Sequence, residues 1–174
     1  MRDVLFEAAR VGGVRPFRER VVDTSRRRPG DIYLPVWSQG RPLAADVTVS
    51  HPSQASNSSQ AREGDSASIR AAATAAGDKV RKHGARCNAQ GVEFLPLAVC
   101  SFGGWLPEGM EFVNALVPRV AERTGVGHGV AVSQLWQRLS VTLRRANVQA
   151  ILHRSEPSFL GTWDLPTGRK AAKV

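Results

Sequence analysis

The sequence predicts a single α/β domain of the α+β kind, with a central mixed β-sheet flanked by helices. Short β-rich runs are interspersed among longer helical ones. One of them, Val92 to Cys100, is almost unbroken apolar, as a strand covered on both faces would be. A length of 174 residues suffices for one ordinary core and not for two.

Val4 to Arg10 spaces its apolar residues for one helical face and stops at Gly12-Gly13, so a short opening helix is expected. Arg18 to Asp23 offers Val21 and Val22 as a brief strand before the basic knot Arg26-Arg27-Arg28 and the breaker Pro29-Gly30. Asp31 to Pro35 and Leu43 to Val49 read as two strands of a hairpin that turns near Ser38-Gln39-Gly40. Residues 51–66, rich in Ser, Gln, Asn and Ala, predict a mobile loop. Ala67 to Ala89 predicts an alanine-rich helix with Lys79 and Lys82 one turn apart on one face. After the Val92 to Cys100 strand and the turn Phe102-Gly103-Gly104 come two helices, near Glu108 to Arg123 and Val130 to Arg154. The last should pack Leu135, Leu139, Leu143, Ala146 and Ala150 and expose its arginines. The domain is thus expected over residues 1–155, with a flexible tail over 156–174.

Composition narrows the function classes. No run approaches the roughly 18 apolar residues that cross a bilayer, and Met1-Arg2-Asp3 lacks the order of a secretion signal, so an intracellular protein with no membrane partner is expected. The two cysteines, Cys87 and Cys100, can build neither a disulfide framework nor a four-ligand zinc site. The histidines, His51, His83, His128 and His153, are scattered without metal-ligand spacing and read as surface or loop residues. Twenty-four Lys and Arg against fifteen Asp and Glu give a net charge of +9, a surplus suited to an anionic polymer, with nucleic acid the leading partner and a basic surface kept for solubility or a ribosome-like contact the plainer alternative.

Asp31 and Asp46 stand out. Each lies in a strand run, and Asp46 sits in an otherwise apolar one, where an unpaired carboxylate is costly. Two carboxylates on neighbouring strands suit a divalent metal, Mg²⁺ or Mn²⁺, which would neutralise the charge of a phosphodiester under attack. The plainer alternative is that each caps a turn or pairs with an arginine.

The motifs Leu5-Phe6-Glu7-Ala8-Ala9, Arg28-Pro29-Gly30-Asp31-Ile32, Asp46-Val47-Thr48-Val49, Lys79-Val80-Arg81-Lys82, Pro96-Leu97-Ala98-Val99 and Phe102-Gly103-Gly104-Trp105 have a familiar order and spacing. Together, over roughly residues 2 to 155, they resemble the restriction-like endonuclease domain at the C-terminus of some non-LTR retrotransposon polyproteins. That resemblance implies a restriction-endonuclease-like PD-(D/E)xK fold that nicks target DNA for an upstream reverse transcriptase module, working in the nucleus if the host is eukaryotic. It implies Asp31 and Asp46 as the acidic positions. The lysine normally two residues after the second acid is replaced by Thr48, and in these domains it is moved to the following helix, which points to Lys79 or Lys82. Glu7 matches an extra metal-side acid, although an exposed helix glutamate is the plainer reading. Arg26, Arg27, Arg28, Arg41, Arg144 and Arg145 are the expected phosphate contacts. Gly30 between Pro29 and Asp31, His83 in place of an aromatic and Cys100 at an often acidic position depart from the pattern. The alternative function is a nuclease-fold module that binds DNA without cutting it, or a genomic relic.

Overall fold

In the computed structural model, the described residues are 1–22, 28–52 and 66–154. Arg26 and Arg27, most of the loop expected over 51–66 and the tail expected over 156–174 lie outside them.

The chain forms α1 (Arg2–Val11), β1 (Phe17–Arg18), β2 (Ile32–Ser38), β3 (Arg41–Ser50), α2 (Ala67–Lys79), a π-helical turn (Val80–Gly84), α3 (Ala85–Ala89), β4 (Glu93–Cys100), α4 (Pro107–Thr124) and α5 (His128–Arg154). The sheet is four-stranded in the order β1-β2-β3-β4, with β1-β2 and β2-β3 antiparallel and β3-β4 parallel. It is the mixed sheet flanked by helices that the sequence predicts. The parallel pair requires a crossover, and the helical run from α2 to α3 supplies it.

Strand alternation sends successive side chains to opposite faces. Ile32, Leu34, Leu43, Ala45 and Leu97 join Leu5, Ala9, Phe112, Val113, Leu116, Leu135 and Leu139 in the main core, so α1, α4 and α5 cover one face. Ala44, Cys87 and Val92, and separately Ala72, Ala76 and Ala98, fill the other face beneath α2 and α3. Alanine is what lets α2 lie close to the sheet there. β4 is an edge strand, yet Leu97 to Cys100 are buried because helices cover both of its faces.

Three expectations are corrected. The strand expected through Val21 and Val22 is only Phe17–Arg18: Glu19 adopts φ +46 and ends the pairing. The helix expected over 67–89 is interrupted by the π turn. The apolar burial of α5 ends at Leu143, whereas Ala146 and Ala150 are exposed, and the contact that follows is polar, from Asn147 Nδ2 to Ser101 O at 2.6 Å.

Candidate metal and phosphodiester site

The antiparallel register pairs Ile32 with Ala45 and Tyr33 with Ala44, so one step further Asp31 stands opposite Asp46. Both belong to the face that carries Tyr33 and Ala44, the face that α2 covers. The backbone confirms the approach: Val47 N–H donates to Asp31 Oδ2 at 3.0 Å. Gly30 is what permits it. A Cβ there would meet Ala45 O at 2.9 Å, so the residue between Pro29 and Asp31 must lack a side chain if the strand is to close on β3.

Asp46 is 9% exposed. Lys79, the last residue of α2, places Nζ 2.7 Å from Asp46 Oδ2. The contact compensates charge, but its angles lie outside hydrogen-bond geometry, so this buried oxygen has a cation and no hydrogen-bond donor. Thr48 Oγ1, two residues along the same strand and on the same face, is also buried without a hydrogen-bond partner. The other oxygen of Asp31 lies 4.0 Å from Arg2 Nη1.

The π turn separates the two candidate lysines. Its wider winding brings His83 rather than Lys82 back over the sheet, leaving Lys82 exposed and His83 8% exposed. His83 is therefore a buried residue, contrary to the surface placement its scatter in the sequence suggests. Its ring lies 5.6 Å from that of Phe94, and its Nδ1 is buried without a hydrogen-bond partner. Burial holds its pKa below the ordinary value of 6.5. Lys82, Lys79 and Arg86 push the same way, and Asp46 opposes them.

Glu7 is not brought to the two aspartates. It receives two hydrogen bonds from Arg10, at 2.7 and 2.8 Å, and that pairing holds its carboxyl below the usual range. The residue that α1 sends toward Asp31 is Arg2, which also reaches Glu19 at 3.4 Å. Glu19 in turn takes Arg28 at 2.7 Å, and its N–H donates to Asp31 O at 3.2 Å. Arg2, Glu19 and His83 are the neighbours that sequence reasoning misses. Only a helix start and an alternation count could have hinted at the first and last, and nothing marks Glu19.

Among the described residues, the expected phosphate contacts do not converge. Arg28 borders Asp31 through Glu19, whereas Arg41 lies at the hairpin end of β3. Arg144 and Arg145 are exposed on α5, near the opposite end of the sheet, where Asn147 Nδ2 donates to Ser101 O at 2.6 Å. Trp37 and Trp105 are packed rim aromatics, against Phe112 and Trp136 respectively. A groove of about 640 Å³ along the outer edge of β4 is lined by Ala76, Val80, Phe94, Pro96, Trp105 and Met110 among others, and by none of Asp31, Asp46 and Lys79.

Among the described residues, no three His, Cys, Asp or Glu side chains form a group suited to a metal ion. Asp31 and Asp46, opposite each other in the hairpin register, are the two carboxylates that would hold a divalent cation, and the oxygen of Asp46 that lacks a hydrogen bond now has the ammonium of Lys79 against it. No helix among the described residues is long and apolar enough to cross a membrane. The chain matches no protein-family model, no curated protein and no solved structure.

Proposed function

We propose that this protein is a metal-dependent DNA endonuclease domain that nicks its target by phosphodiester hydrolysis, derived from a non-LTR retrotransposon. The observation that supports the reading is the contact of Lys79 with Asp46 at 2.7 Å, with Asp31 at the start of β2 opposite Asp46 in the hairpin register. These are the residues singled out by the resemblance to the restriction-like endonuclease domain, and of the two lysines the geometry favours Lys79. With Mg²⁺ or Mn²⁺ held by Asp31 and Asp46, the ion would supply charge neutralisation at the scissile phosphate. Lys79 orients the attacking water and steadies developing negative charge, as a fixed cation beside the reacting phosphate does. Arg2, 4.0 Å from Asp31, and Arg28, held on the neighbouring Glu19, are the cations that would meet a phosphate backbone presented to Asp31. In a eukaryotic host such a domain works in the nucleus.

The test is nicking of supercoiled plasmid with Mg²⁺ or Mn²⁺ by the wild type, Asp46→Ala and Lys79→Ala. Nicking by the wild type that both substitutions abolish is the expected result. Equal nicking by all three, or none by the wild type, overturns the reading. The second reading, a DNA-binding module without catalysis, is favoured by the closeness of Lys79 to Asp46, since a metal must share or displace that ammonium. It predicts DNA binding that is independent of divalent metal and unaltered by Asp46→Ala.

A further inference from the structure

At the far end of β3 and β4 the chain holds a phenylalanine out of the fold on a braced turn. Phe102 is 74% exposed, the highest value among the exposed large apolar residues described. The turn that carries it is closed by Cys100 N–H to Gly104 O at 2.7 Å and Gly103 N–H to Cys100 O at 2.8 Å. It is tied to the sheet by Ser101 N–H to Ser50 O at 2.7 Å and to α5 by Asn147 Nδ2 to Ser101 O at 2.6 Å. Gly103, at φ +96, makes the turn possible. The ring meets the His51 imidazole edge-on, with centroids 5.5 Å apart, and is left largely exposed. Four hydrogen bonds thus tie down the backbone of the turn, so the exposed ring is presented to solvent from a defined place on the fold.

The surroundings indicate what that contact is. Arg144 and Arg145 are exposed on α5 within one turn of Asn147, the residue that grips this loop. An exposed aromatic face on a loop gripped by a basic helix is an arrangement on which a nucleobase can stack while a cation of that helix holds its phosphate. Phe102 also lies beyond the end of the strand that carries the candidate site: Ser50, which accepts from Ser101 N–H, is four positions on from Asp46, roughly 13 Å at the rise of a parallel strand. That is about four base steps of a stacked nucleic acid.

We propose that Phe102, edge-on to His51, is a stacking platform for an unpaired nucleobase. The DNA it takes is then single-stranded or locally opened a few nucleotides from the phosphate presented to Asp46. The proposal rests on the nucleic-acid reading above but not on catalysis. Its test uses the full chain in EDTA at physiological salt, with fluorescein-labelled oligothymidine and a fully paired duplex of equal length. Phe102→Leu keeps an apolar side chain and removes the aromatic face, and Phe102→Trp keeps one. The expected result is that Phe102→Leu weakens oligothymidine binding by about fivefold or more, Phe102→Trp does not, and neither changes duplex binding. Equal oligothymidine binding by wild type and Phe102→Leu overturns the platform while leaving the endonuclease reading to the plasmid assay. Val148 and Leu152, exposed further along α5, define the rival occupant. If Phe102→Leu changes the sedimentation of the protein and not its oligothymidine affinity, the surface binds protein, and the proposal fails.

Discussion

Lys79 Nζ stands 2.7 Å from Asp46 Oδ2, joining the end of α2 to the middle of β3 at a point where the carboxylate is almost wholly withdrawn from water. Removing the lysine therefore leaves a buried charge uncompensated, which costs more than breaking an exposed ion pair. Lys79→Met is expected to lower stability by roughly 1–3 kcal/mol in urea titrations, and Asp46→Asn with Lys79→Met to cost less than the sum of the single changes. Additive losses would show that the two side chains are not coupled.

Divalent metal should stabilise the fold in proportion to its affinity. At a free Mn²⁺ concentration about a hundredfold above its dissociation constant, the gain is about 2.7 kcal/mol, read as a shift in the thermal or urea midpoint. Asp31→Asn and Asp46→Asn should each diminish that shift, while Glu7→Gln, paired with Arg10 away from the two aspartates, should not.

Gly30 is predicted to be intolerant of a methyl group. Gly30→Ala drives a Cβ against the backbone of Ala44 and Ala45, at an expected cost of about 1–3 kcal/mol. It should also loosen the bond from Val47 N–H to Asp31, seen as faster exchange of that amide proton. An unchanged melting temperature would mean that β2 does not approach β3 as described.

Acid sensitivity follows from His83. Its folded pKa lies below the 6.5 of the unfolded chain, so below that value the unfolded state binds the extra proton first. The contribution of neutral His83 is fully present above pH 6.5. It is lost progressively as the pH falls toward the depressed folded value, below which the loss is constant. His83→Phe should flatten stability against pH over this window, measured as the urea midpoint at successive pH values. A wild-type slope retained in the variant would assign the acid sensitivity to other groups.

On α5, Leu139→Ala should cost about 2–5 kcal/mol, whereas Ala146→Glu, on the exposed continuation of the same stripe, should stay within about 0.5 kcal/mol. Comparable losses at both positions would place the end of α5 against a partner.

Local pattern was enough for the order of helices and strands, the β2–β3 hairpin and the burial of β4, and it singled out Asp31 and Asp46 as candidates. Each of these is written in local periodicity, turn residues or the oddity of a carboxylate in an apolar run. Only the tertiary structure decided that Lys79 and not Lys82 faces Asp46, because a π turn rotates the two lysines apart and no short-range pattern announces such a turn. It likewise decided that His83 is buried, that Glu7 turns to Arg10 while Arg2 and Glu19 border Asp31, and that the apolar burial of α5 ends at Leu143. Those outcomes depend on which surfaces meet across long stretches of chain, a matter of packing between elements that periodicity within one element does not encode.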